Sequence, residues 1–169
     1  MNIRIRVWPV LALVAALAGC GGNAVEEPIP YVGIPASNQA DPLSAVDPSA
    51  VPDKDDKRTY YHVFVRQDAW ADWWARTANR YGPKPLPAVD FDRETVAGVY
   101  LGMRPNGCYG LEIDSVVRSD DTLLVKYREF RPSDPPADGG CTAAVEYPLK
   151  LVKISAAGLP VRFVDLTKR

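Results

Sequence analysis

The chain has 169 residues, with 20 Lys and Arg against 21 Asp and Glu. A length of this order suits one domain with extensions, and the near-neutral balance carries neither the basic footprint of a nucleic-acid-binding protein nor an acidic tail. The charge is unevenly spread: residues 20–58 hold 7 acidic and 3 basic residues, net −4, and residues 59–169 hold 14 acidic and 15 basic, net +1.

Arg4 and Arg6 form a positive start, and residues 7–16 are an apolar run too short to span a bilayer. Leu17-Ala18-Gly19-Cys20 follows and resembles the lipobox of bacterial lipoproteins. That resemblance implies cleavage after Gly19, so residues 1–19 are a signal peptide and Cys20 carries the lipid. Acyl chains contribute about 0.8 kcal/mol per buried methylene, so two or three hold a protein on a membrane almost permanently. Gly21 rather than Asp follows the cysteine, which in such lipoproteins implies the outer membrane. The expected location is therefore the bacterial cell envelope, facing the periplasm or the surface. An ordinary secretory signal with an incidental cysteine is the alternative.

Residues 20–58 read as a lipidated, disordered linker, with Pro28, Pro30, Pro35, Pro42, Pro48 and Pro52 among Ala, Ser, Asn and Asp. Its reach lies between roughly 35 Å as a coil and roughly 120 Å as polyproline II. Tyr31-Val32-Gly33-Ile34 is its one apolar island, expected to be solvated, with docking on the domain as the alternative.

The folded domain is expected over residues 59–169. Residues 60–66 read as a strand, and a helix follows, with Asp68 as N-cap and Asp72 near the positive end of the dipole. Trp70, Trp73, Trp74, Thr77, Ala78 and Tyr81 fall on one helical face. Three tryptophans on one helix could stack a sugar or a base, but stripes at this spacing ordinarily fill a core. Residues 82–87 end the helix with three prolines.

Residues 95–103 and 109–117 read as two strands of a hairpin, closed at Arg104-Pro105-Asn106-Gly107. Pro105 presets φ for a turn, and Asn106 and Gly107 tolerate the positive φ of a reversal. Further strands are expected over residues 122–131, over 141–154 with an edge or bulge at Pro148, and over 161–166. One helix beside five or six mostly hairpin-connected strands makes an α+β domain with a largely antiparallel sheet, expected to be monomeric.

With Cys20 lipidated, Cys108 and Cys141 remain, and in an exported protein two leftover thiols are most economically a disulfide. The alternative is a reactive Cys108 served by His62, the only histidine. Asp90, Asp92 and Glu94 would share a face if extended and could hold a cation or act as an acid–base pair. The loop lacks the glycine and further oxygen donors of calcium loops, so solvated acids are the expectation. No Gly-x-Ser-x-Gly elbow, glycine-rich phosphate loop or His-x-x-His pair is present. No catalytic residue, cofactor or metal is assigned.

Val89-Asp90-Phe91, Leu101-Gly102-x-Arg104, Gly107-x-Tyr109 and Tyr147-Pro148 together resemble the C-terminal domain of the PrcB family of protease-complex subunits, over about residues 88–164. Two positions depart from that family's pattern: Asn106 stands where Thr is usual, and Cys108 where a second Gly is usual. The resemblance implies a non-enzymatic lipoprotein that supports an envelope protease. Arg104, Pro105, Asn106, Gly107 and Tyr109 are the expected partner-binding residues, with the Arg104 guanidinium free to meet a carboxylate or a carbonyl. Protease inhibition and a glycan or small-ligand module built on the tryptophan helix are the alternatives.

Overall fold

In the computed structural model, residues 25–35, 58–78, 84–130 and 141–167 are described. The signal peptide, Cys20, the rest of the linker, residues 79–83 with Tyr81, and the whole Pro-rich loop of residues 131–140 lie outside them.

The domain has three layers: a helix, a sheet whose central strand is buried on both faces, and a second sheet. Strands β1 (Glu26–Pro28), β2 (Tyr31–Ile34), β3 (Tyr60–Phe64), β4 (Thr95–Tyr100), β5 (Gly110–Ser119), β6 (Thr122–Phe130), β7 (Leu149–Ile154) and β8 (Val161–Asp165) and helix α1 (Gln67–Ala78) build it. The central sheet has the order β2-β7-β4-β3 and the outer sheet β1-β5-β6-β8. All pairings are antiparallel except β6 with β8. The expected α+β class with a largely antiparallel arrangement is what the chain forms, as two sheets.

β4 explains the architecture. All six of its residues are buried, as in a strand covered on both faces rather than one that alternates. Val96 and Tyr100 join the tryptophan cluster on the helix side, with Phe64, Leu149 and Leu151. Ala97 packs with Val116, Leu123, Val125, Val152 and Ile154 between the sheets. Val99 does the same with Leu101, Leu111 and Tyr127.

This placement corrects the expected hairpin. Both edges of β4 are taken, by β3 and by β7, so β5 cannot pair with it and lies in the other sheet. The chain leaves β4 through Gly102, whose φ of 69° is the left-handed conformation that glycine adopts without strain.

The linker is corrected over its first part. Residues 26–28 pair with β5 and residues 31–34 with β7, so a single run crosses from one sheet to the other at Ile29-Pro30. Ile34 is 9% exposed in the tryptophan cluster, and the Tyr31 hydroxyl donates to the Ile113 carbonyl at 3.3 Å. Burial of Ile34 and part of Tyr31, together with the pairing of both strands, offsets the entropy of ordering this run, which the prolines alone had argued against.

Two smaller differences follow from local chemistry. The expected strand over 141–154 shortens to β7, because the chain before Pro148 makes only an isolated bridge, Glu146 with Arg104. Asp68 lies inside the first turn of α1 rather than capping it, and Asp72 pairs with Arg76 one turn on at 2.6 Å.

Candidate partner-binding site

The expected turn is stitched to a second segment rather than held out in solvent. Arg104 exchanges two backbone hydrogen bonds with Glu146, at 2.8 and 2.9 Å, and the Gly107 amide donates to the Thr142 carbonyl at 3.0 Å. The Asn106 side-chain oxygen accepts the Cys108 amide at 3.0 Å, closing the reversal locally. A β-carbon at Gly107 would run into the Thr142 hydroxyl, which would have to turn away. Cys108 and Cys141 are joined in a disulfide across 33 residues, with Cα atoms 5.0 Å apart. The expected bridge is present and fastens the same two segments.

Arg104 differs most from expectation. It is 8% exposed, and its Nε donates to Glu129 Oε1 at 2.7 Å between side chains that are themselves largely buried. Its Nη1 donates to the carbonyls of Leu101 and Met103, and its guanidinium lies 6.0 Å from the centre of the Tyr109 ring. The guanidinium is therefore built into the domain. Pro105 and Gly107 are exposed, and Asn106 and Tyr109 half-buried.

Beside the stitched turn the two sheets splay apart and leave a cleft of about 530 Å³. One wall is Gly107, Tyr109, Gly110, Leu111 and Glu112, with Phe130 from β6; the other is Thr142, Glu146, Pro148 and Lys150. A second hollow of about 360 Å³ shares Glu112 and Lys150 and reaches Tyr31, Ile34 and Ile113. Of the expected partner-binding residues, Gly107 and Tyr109 line the cleft, and Arg104 braces it from behind. Glu112, Phe130, Thr142, Glu146 and Lys150 were not singled out from the sequence. They come from three separated segments, and no local spacing marks them.

The other candidate chemistries are not assembled. Trp70, Trp73 and Trp74 are 0%, 5% and 5% exposed, so they form core and present no stacking surface. The Trp70 and Trp74 indoles donate to the Pro87 and Lys84 carbonyls at 3.1 and 3.3 Å, tying the helix to the segment that follows it. His62 packs against Phe64 and Trp73 in the same core, while Cys108 is oxidised at the cleft, so the two form no catalytic pair. Burial holds the His62 imidazole well below its ordinary value, at about 4.

The three acids do not converge. Residues 91–93 form a turn, in which Glu94 accepts the Asp90 amide at 2.8 Å and pairs with Lys153 at 3.3 Å. The bond from the Asp90 amide holds the Glu94 carboxyl below its usual range. Asp90 in turn accepts the Asp92 amide at 3.2 Å. These carboxylates close a turn, and among the described residues no group of three or more His, Cys, Asp or Glu is placed to hold a metal ion.

Comparison with known proteins adds one finding. Residues 95–155 match the family described as PrcB C-terminal, whereas neither the curated proteins nor the solved structures yielded a match. The matched stretch runs from the first residue of β4 to just past β7 and contains every residue that lines the larger cleft. Over residues 95–155 the chain is thus similar to a PrcB C-terminal domain.

Proposed function

We propose that this protein is a non-enzymatic subunit of a protease complex in the bacterial envelope, lipid-anchored through Cys20, with the cleft beside the Cys108–Cys141 bridge as its partner-binding face. The family match carries this reading, because it encloses both walls of the cleft. The geometry supports a binding role in two further ways. The cleft is braced by a disulfide, a buried ion pair and three backbone bonds, and walls fixed in advance lower the ordering cost of binding. Its lining combines aromatic rings with a few charges, the mixture found at protein interfaces.

The test is cross-linking in the envelope of the source organism. With a photo-reactive residue in place of Thr142, at the cleft rim, the expected adduct contains a protease, and deletion of the gene lowers the amount of that protease. An adduct without a protease, together with unchanged envelope proteolysis after deletion, would overturn the reading. A rise in proteolysis after deletion would instead make the protein an inhibitor, for which the exposed Pro105 and Gly107 form a covalently braced edge.

A further inference from the structure

The edge of β5 that faces the cleft is only partly covered. β1 pairs with β5 over Val117, Arg118 and Ser119, and the Ile29 amide adds a bond to the Val116 carbonyl at 2.9 Å. At Pro30 the covering chain then departs for the other sheet, where residues 31–34 pair with β7. Residues 110–113 of β5 keep β6 on one side and have no strand on the other among the described residues.

The direction of their polar groups follows from the partners of β6. Opposite Leu111, the Glu129 amide donates to the Thr167 hydroxyl at 2.8 Å. Opposite Ile113, the Tyr127 carbonyl accepts from the Leu166 amide at 2.8 Å. Leu111–Glu129 and Ile113–Tyr127 are thus the non-hydrogen-bonded pairs of the ladder, and the amides and carbonyls of Leu111 and Ile113 point away from β6. The Ile113 carbonyl meets the Tyr31 hydroxyl on that side, as this geometry requires. The register shift between Ile113 and Ser115 separates this strand-free stretch from residues 116–119, which β1 and Ile29 cover.

We infer that this edge takes an extended segment of the partner polypeptide as an added strand, in line with β1 and with a basic side chain directed at Glu112 and Glu146. This rests on the protease-complex reading above and names how the partner is held. Amides and carbonyls without a strand partner, here the Leu111 amide and carbonyl and the Ile113 amide, recognise an extended backbone, whereas side-chain positions set specificity. β1 already pairs with the same edge, so an incoming strand continues an existing arrangement. The lining carries two acids, Glu112 and Glu146, against one base, Lys150, which favours a basic side chain on the incoming strand. Phe130, 40% exposed and packed over Gly110, offers the apolar surface beside them.

Random dodecapeptides displayed on phage, selected against the full-length protein in detergent, test the inference. Expected binders carry Lys or Arg and slow hydrogen exchange at the Leu111 and Ile113 amides. The Ile113→Pro variant removes an amide that faces the cleft rather than the ladder and should weaken these peptides at least about tenfold. Because Ile113 also packs against the core between the sheets, Tm falls and binding is read on the folded protein. If that variant does not fold, the Glu112→Lys, Glu146→Lys pair serves instead, with the same loss expected for the selected peptides. Recovery of no binder, or of binders that protect β3 or leave the β5 amides unprotected, would overturn the inference. So would undiminished binding by the variant that folds. Each of these leaves the protease-complex reading standing if Thr142 still cross-links to a protease, so the two fail separately.

Discussion

Arg104 and Glu129 form an ion pair at 2.7 Å, with side chains 10% and 11% exposed, that ties the turn after β4 to the end of β6. Removing one member leaves the other charged and desolvated, which typically costs about 3–5 kcal/mol. Arg104→Ala should therefore lower stability by an amount of this order in urea denaturation. A change confined to about 0.5 kcal/mol, as at an exposed position, would show that the pair is not formed. Replacing both by an apolar pair of similar volume should restore much of the loss.

The disulfide should be recovered as a single linked Cys108–Cys141 species in non-reducing peptide mapping of exported protein. Replacing both cysteines with Ala should cost about 2–4 kcal/mol for a closed loop of this size. Two freely alkylated thiols in unreduced protein would contradict the bridge.

Trp70 is fully buried and in contact with both other tryptophans of α1, at ring separations of 5.7 and 5.2 Å. Trp70→Ala should cost about 3–5 kcal/mol, enough to unfold a domain of ordinary stability. Near-ultraviolet circular dichroism should collapse with it, and a retained cooperative melt near the wild-type Tm would refute the core assignment.

His62 makes stability depend on pH. Its imidazole titrates at about 4 in the folded state and near 6.5 when unfolded, so the native state favours the neutral ring. The stabilisation is fully present above pH 6.5 and is lost as pH falls toward 4. The total amounts to about 3 kcal/mol at 1.36 kcal/mol per pH unit. His62→Phe should flatten the Tm profile across that window, and an unchanged profile would mean that the ring is solvated.

Cys20→Ser should leave an unlipidated precursor that fails to mature, measured by labelled-palmitate incorporation and by mobility on gels. Labelling or cleavage after Gly19 that persists in the variant would sink the anchor.

The class of the fold was legible because its causes are local. Tryptophans at helical spacing, β-branched runs and proline-rich breaks act over a few residues, and α1, β3, β5, β6 and β8 lie close to where these patterns put them. The pairing of Cys108 with Cys141 was legible for a different reason: after Cys20 only two cysteines remain. Partner choice in the sheets was not legible, since β4 and β5 on either side of good turn residues look like a hairpin whether or not they pair. The decision belonged to the two occupied edges of β4, which depend on β3 and β7 more than thirty residues away in sequence.

The candidate site divides the same way. Gly107 and Tyr109 were marked by turn chemistry and by family resemblance, and both line the cleft. Arg104 was marked with them, but its exposure depended on Glu129, which the chain brings back only at the end of β6. By itself the sequence determined composition, element types, the turn residues and the set of cysteines, because each rests on nearest-neighbour sterics or on simple inventory. Only the tertiary structure decided which strand edges were filled, that Arg104 is buried, and that β1 leaves β5 at Pro30. Those outcomes depend on long-range burial of apolar surface and on loop closure, which no local window of residues contains.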